Sequence, residues 1–288
     1  MLKGILKICK INHYIKNAIV ILPLIFSMNI LNFELYPKCI LIFLGFCFIS
    51  SSVYIMNDIF DIEYDKKHPV KCNRPIASGR ISKKTAVIIC ILLFLMSFLT
   101  VHSLNSLCAL MIGLYFLLNI FYSVSLKNII LVDAACIATG FIFRIVAGCF
   151  AINVLPSPLV ILMTFFVSMF FTFIKRKLEL EVVQNNILLR KSISDIDINT
   201  ANKFILINAV LSIAFYITYS LDNNTILYVG SKYFYLTAIP FTLIIFRLLL
   251  LSDFFKDNDD PVIFLERDKT LLFFIIFYFL ILIVIYFI

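Results

Sequence analysis

Stretches of about 17 to 25 mostly apolar residues, the length that crosses roughly 30 Å of hydrocarbon, follow one another from end to end of this chain. By number they fall at 18–34, 38–56, 86–103, 106–125, 129–153, 157–174, 204–221, 233–251 and 270–288. In lipid every backbone N–H and C=O needs an internal partner, so only helices or closed barrels can span. The runs lack the alternation of barrel strands, which leaves helix. With 62% of residues hydrophobic and 15% charged, a soluble fold has too little interior to hide the apolar surface. The expected fold is an all-α, polytopic membrane bundle of about nine transmembrane helices, one domain over 1–288.

Lysine and arginine set the orientation. With the N-terminus inside, 21 basic residues collect on the cytoplasmic side, and Lys38 and Lys232 alone lie in loops on the other. The net charge of +8 is therefore a topology signal and not a nucleic-acid footprint. No small-x-small cleavage pattern follows the first apolar run, so it is kept as a span. The eight cysteines form no C-x-x-C pair and read as small apolar packing residues.

Three polar inserts interrupt the apolar pattern, at 57–85, 175–203 and 252–269, all on the side expected to be cytoplasmic. The first holds Asn57, Asp58, Asp61, Asp65, Lys67, His68, Pro69, Lys71, Arg74 and Pro75. Acids spaced three and then four apart share one face of a helix. Their mutual repulsion calls for a positive charge between them. Hard oxygen ligands in an open setting suit Mg²⁺, which keeps positions for water and substrate phosphates. Pro69 should stop the helix, putting Lys67, Lys71 and Arg74 within reach of phosphate oxygens. The alternative is a solvated juxtamembrane helix whose acids pair with neighbouring lysines. His68, before a proline, reads as structural or phosphate-contacting.

On these residues the chain resembles the UbiA-type intramembrane prenyltransferases, whose first aspartate motif N-D-x-x-D-x-x-x-D is matched by Asn57, Asp58, Asp61 and Asp65. Within that superfamily it is most similar to the decaprenyl-phosphate phosphoribosyltransferases. The stretches behind this closer likeness are His68–Gly79, Tyr122–Lys127, Asp133, Gly140–Gly148, Lys175–Leu180, Arg190–Ser192 and Ile239–Thr242. The resemblance implies Mg²⁺-dependent transfer of phosphoribose from phosphoribosyl diphosphate to a polyprenyl phosphate, feeding cell-envelope assembly at a bacterial inner membrane. It implies Asp58, Asp61 and Asp65 as metal ligands and Asp58, Asp61, Lys71 and Arg74 as catalytic. Asn57, Lys67, His68, Tyr122, Lys127, Asp133, Arg144, Lys175, Arg176, Glu179, Arg190 and Lys191 are expected to contact substrate. Relatives using allylic diphosphates carry a second aspartate-rich motif where this chain has Lys175, Arg176 and Glu179, and a separate donor 5-phosphate fits that change.

Asp133 and Arg144 lie within the fifth apolar run, about 16 Å apart along a helix, so they cannot pair with each other. Each should face the interior and have a partner, because a charge near the bilayer centre is costly. For Arg144 the choices are an anionic lipid phosphate, a buried acid or helix packing. Asp257, Asp259, Asp260 and Asp268 read as a solvated loop or a lid. Two other functions stay open: prenyl transfer from an allylic diphosphate to an aromatic or haem acceptor, and a non-enzymatic lipid carrier. Concentration of polar residues at one membrane face opposes the carrier, whose site would sit near the midplane.

Overall fold

A computed structural model describes residues 2–68, 70–129, 131–183, 196–252 and 268–287. Every regular element among them is helical, as lipid requires. Eight helical spans are long and apolar enough to cross a membrane: Phe33–Phe60, Lys83–His102, Ser106–Val124, Val132–Ala151, Pro158–Glu181, Ile198–Leu221, Lys232–Leu251 and Lys269–Phe287. The difference from nine lies at 18–34. There the chain forms a 3-10 segment, Ile11–Ile21, running into a short helix α2, Leu22–Phe26. This apolar piece, Ile11–Phe26, ends early because Met28 takes a left-handed φ of 52°, which no right-handed helix can continue. A short helix α1, Leu2–Cys9, precedes it.

The chain divides into two compact units, residues 1–127 with 143–156, and residues 128–142 with 157–288. In the first, α3 (Tyr36–Phe60) continues into α4 (Ile62–Lys67), followed by α5 (Lys83–His102) and α6 (Ser106–Val124). Helices α3 and α5 run antiparallel, joined by small polar side chains. Ser97 Oγ donates to the Gly45 carbonyl at 2.8 Å and Ser52 Oγ to that of Cys90 at 2.9 Å. Such residues let helices approach closely where lipid offers no hydrophobic drive. Ile42, Phe46, Ile49, Val101, Ile112 and Ala147 form the core. Ile88, Leu92, Leu95 and Leu99 of α5 are exposed, and their three-and-four spacing marks a stripe turned to lipid.

Helix α7, Val132–Ala151, gives its first turns to the second unit and the rest to the first. The second unit continues with α8 (Pro158–Val183), α9 (Ile198–Leu221), α10 (Asn223–Val229), α11 (Ala238–Leu251) and α12 (Lys269–Phe287). Its core gathers Phe170, Phe173, Ile205, Ala209, Ile245, Leu248 and Leu271. Buried Tyr216 donates its hydroxyl to Thr237 Oγ1 at 2.8 Å and lies 2.6 Å from the Tyr278 hydroxyl. Helix starts carry side-chain caps: Ser82 accepts from Thr85 N, Asn105 from Leu107 N and Asp197 from Thr200 N, each satisfying an otherwise orphaned donor.

Contact forces two glycines: a Cβ on Gly45 of α3 would stand 2.5 Å from Val101 Cγ1, and Gly148 is tighter still. A Cβ on Gly148 of α7 would stand 2.1 Å from the Val20 carbonyl oxygen, a backbone atom of the 3-10 segment. On Gly113 of α6 it would meet only Phe98 Cζ, at 3.7 Å. Gly148→Ala should therefore lower stability by about 1–3 kcal/mol through overpacking. Gly113→Ala should be neutral or slightly stabilising, since alanine favours helix. Apparent melting temperatures of the two purified variants in one detergent check the contrast.

Candidate active site

The aspartate ridge forms where α3 hands over to α4. Asp61 sits at a bend, φ −91° and ψ 8°, yet its N–H still reaches the Asn57 carbonyl and the Asp65 N–H reaches that of Asp61. Helical phase survives the bend, so Asp58, Asp61 and Asp65 stay on one side. Asp58 and Asp65 are almost fully buried, at 3% and 1% exposed. Buried carboxylates need partners, and the chain supplies them from three separate segments.

Lys10 Nζ donates to Asp58 Oδ1 at 3.1 Å. Arg74 Nη1 donates both to Asp58 Oδ1 at 3.1 Å and to Asp65 Oδ2 at 2.7 Å. Lys127 Nζ donates to Asp61 Oδ1 at 2.8 Å. Three acids thus meet three cations. Local sequence explains the delivery. Arg74 precedes Pro75 and is extended, φ −62° and ψ 142°, as a residue before proline must be. Lys10 takes a left-handed backbone, φ 50°, at the junction of α1 with the 3-10 segment, and its ammonium lies 4.9 Å from the centre of the Tyr54 ring. Lys127 lies in a 3-10 turn directly after α6, and Ser123 of α6 donates to Asn57 Oδ1.

The positive charge expected between the acids is therefore present, and it is the protein's own. The alternative reading also holds in part: the acids are paired, but two are buried, and their partners Lys10 and Arg74 lie outside the helix that carries them. Among the described residues no group of three or more His, Cys, Asp or Glu is gathered as an ion cage, because the three acids face the protein's cations and not one another. Lys127 serves Asp61 and Lys10 serves Asp58. Asp58 and Asp65 nevertheless share one Arg74 nitrogen, so one point of positive charge already bridges two hard carboxylates. That donor set fits Mg²⁺, which takes one or two carboxylates and leaves other positions for phosphate.

His68 ends α4 in an extended conformation, and Pro69 lies outside the described residues. The imidazole is pulled below its usual value by burial and then by nearby Lys71. Accordingly its Nδ1 accepts from the Val70 and Lys71 N–H groups, at 3.2 and 3.3 Å, as only a neutral ring can. Lys71 lies 5.6 Å from the centre of the Tyr64 ring. Lys67 is exposed and Tyr122 half-buried.

Arg144 stands in the first unit's core, 6% exposed. Its Nε donates to Asn17 Oδ1 at 2.9 Å and its Nη2 to the Tyr115 hydroxyl at 3.0 Å. Asp133 pairs within the second unit with Arg176, at 2.7 Å, and Arg176 also holds Glu179 at 2.5 Å. Lys175 on the same helix is exposed. Arg190 and Lys191 lie outside the described residues, as do Asp257, Asp259 and Asp260. Asp268 is a correction to the solvated-loop reading. It binds Arg247 at 2.6 and 3.2 Å and caps α12 through the Leu271 N–H, and the Arg247 guanidinium holds its carboxyl below the usual range.

Sequence reasoning missed Lys10 and Ser123 as site residues. Lys10 follows Lys3 and Lys7 in a basic amphipathic stretch, where it is indistinguishable from an orientation charge.

A profile of the UbiA prenyltransferase family matches residues 20–275. The decaprenyl-phosphate phosphoribosyltransferase of Mycolicibacterium smegmatis is 27% identical over 261 residues, covering 86% of this chain and 81% of that protein. The enzyme of the same name from Mycobacterium tuberculosis is 27% identical over 253 residues, covering 86% and 82%. Among solved structures, a UbiA homolog from Archaeoglobus fulgidus bound to GPP and Mg²⁺ superposes with a TM-score of 0.69 at 17% identity, covering 99% of this chain and 98% of that one.

Removing one partner of a buried pair strands the other's charge. Arg74→Met should cost about 3 kcal/mol, the low end for such pairs because Arg74 is itself 31% exposed. Adding Asp65→Asn to Arg74→Met should recover part of the loss. Lys66→Met, which breaks an exposed pair with Glu63, should leave stability unchanged. Thermal unfolding of the purified proteins distinguishes these outcomes.

Proposed function

The chain belongs to the UbiA prenyltransferase family, and from that premise we propose that it transfers 5-phosphoribose from phosphoribosyl diphosphate to a polyprenyl phosphate, releasing diphosphate. The observation that carries this reading is the matched set of acids and cations at the end of α3: Asp58, Asp61 and Asp65 held by Lys10, Arg74 and Lys127. Such a set can exchange partners with a metal diphosphate at little net change in charge. The carboxylates would hold the ion and the cations would face phosphate oxygens, which suit Arg by bidentate geometry and Lys as a point charge. Similarity to phosphoribosyltransferases along most of the chain supports the choice of donor and acceptor.

In the reaction the bond from the anomeric carbon to the diphosphate oxygen breaks, the electron pair leaving with diphosphate. An oxygen of the polyprenyl phosphate forms the new bond from the opposite face. Asp58, Asp61 and Asp65 would hold Mg²⁺, which when bound would neutralise the charge that grows on the departing oxygens. Arg74, Lys10 and Lys71 add fixed positive charge at that end. Asn57, oriented by Ser123, is assigned to the donor. A phosphate monoester is already largely ionised near neutral pH, so no strong base is needed. In the second unit Lys175, Arg176, Glu179 and Asp133 are assigned to substrate contact on their own. The distribution of Lys and Arg supports a cytoplasmic face of the bacterial plasma membrane.

Purified protein with phosphoribosyl diphosphate, a polyprenyl phosphate and Mg²⁺ should form a phosphoribosylated lipid. A chelator should abolish turnover and added Mg²⁺ restore it. Asp61→Asn, at the most exposed of the three acids, should lower turnover by about a hundredfold or more while the protein stays folded. An equally active Asp61→Asn protein would sink the cradle. Turnover of geranylgeranyl diphosphate with an aromatic acceptor, and none of phosphoribosyl diphosphate, would replace the proposed donor.

A further inference from the structure

A groove of about 700 Å³ opens on another face of the same helical ridge, lined by residues of α3, α4, the 76–82 turn and the start of α5. Its lining positions on the ridge, Ile59, Glu63 and Lys66, centre about 130° around the helix from Asp58, Asp61 and Asp65. The groove is thus separate from the carboxylate cradle, and its size is that of a small-molecule site.

Its depth is set by the spans that bound it. Phe60 closes the span Phe33–Phe60 and Lys83 opens the span Lys83–His102, and the two helices run antiparallel. The groove therefore sits where hydrocarbon gives way to headgroups. Its floor is apolar, with Ile62, Ile76 and Ala77 beneath an exposed Phe60. Its rim is basic. Lys66 and Lys83 line it and Arg80 and Lys84 are exposed beside it; the one acid of the lining, Glu63, offsets one of these four charges through its 2.9 Å pair with Lys66, whose ammonium has two further N–H donors for a phosphate. Helix α1 extends this character, since Ile8 is buried in a cluster with Ile76 and Ile81 while Leu6 and Lys7 remain exposed. A basic amphipathic helix of this kind lies in the membrane interface.

We propose that the groove binds an anionic phospholipid of the surrounding bilayer, its phosphate against Lys66 and Lys83 and its upper acyl chain along Phe60 and Ile62. A soluble phosphate compound has no use for the apolar floor at this depth, and a zwitterionic lipid leaves the excess positive rim uncompensated. Each lysine at a membrane surface favours an anionic headgroup enough that losing both should weaken binding about thirtyfold.

The test uses the full chain in a mild detergent. Phosphatidylglycerol or phosphatidylcholine is titrated in, with bound lipid counted by native mass spectrometry and stability followed by thermal unfolding. Wild type should retain phosphatidylglycerol preferentially and gain more stability from it. The double variant Lys66→Gln/Lys83→Gln should keep the lipid-free melting temperature and lose the preference, while Lys232→Gln keeps it. Equal retention of the two lipids by wild type, or an undiminished preference in the double variant, overturns the proposal. So does displacement of phosphatidylglycerol from the groove by stoichiometric polyprenyl phosphate, which would make the groove an acceptor site. None of these readouts depends on turnover, so the phospholipid site and the transferase reading fail separately.

Discussion

Charge neutrality at the end of α3 is the constraint on which the first unit depends. Asp58 and Asp65 are deeply buried, and their counter-charges come from other segments, Lys10 ahead of the bundle for Asp58 and Arg74 of the following turn for both. The ion pairs therefore fasten the N-terminal stretch at Lys10, the 71–81 turn at Arg74 and the end of α6 at Lys127 to one helical ridge. A bare apolar bundle would leave those segments free to slide, because lipid tails compete evenly with side chains for apolar contact. Buried ion pairs add little net stability over well-packed apolar residues. Their contribution here is one of register, deciding which turn faces which.

Arg144 applies the same logic deeper in the first unit. A guanidinium at mid-helix draws in Asn17 Oδ1 and the Tyr115 hydroxyl and lies 4.6 Å from the Tyr115 ring centre. Asn17 in turn donates to Ser50 Oγ at 3.1 Å. Four segments are joined by one polar cluster, and one turn further along α7 Gly148 lets the backbone of the 3-10 segment come into contact. The 3-10 segment is too short to span, but it is anchored by a cation and by a missing side chain, and Lys10 lies immediately before it.

Much of this was legible from residue type and spacing. Run length gave the helical spans, because hydrocarbon thickness leaves little choice. The three-and-four spacing of Asp58, Asp61 and Asp65 gave the shared face, because helical phase does not depend on tertiary contacts. Arg74 before Pro75 was visible as an extended cation close to that face. Lys10 was not legible, since its role comes from a left-handed turn that nothing local announces. The separate partners of Asp133 and Arg144 were only half legible. Helix rise forbids their pairing with each other, but Arg176 and Asn17 are identified by tertiary packing alone. The bounds of the first apolar segment were not legible, because run length registers hydrophobicity and neither the 3-10 winding of Ile11–Ile21 nor the left-handed residue at Met28 beyond its end.

A self-neutralised cradle also constrains how the proposed reaction can be gated. An ion arriving alone must part Asp58 and Asp65 from Arg74 and leave a guanidinium without its acids. Diphosphate arriving alone must draw Lys10 and Arg74 away and leave two carboxylates buried without counter-charge. Under the proposed reading each would satisfy the groups the other displaces, so their binding would be positively coupled, equally in the two directions. Such a site discriminates against free phosphates and free ions without any contact dedicated to rejecting them. It also holds the resting site in one closed arrangement, since the charges that will later grip the substrate grip one another until it comes.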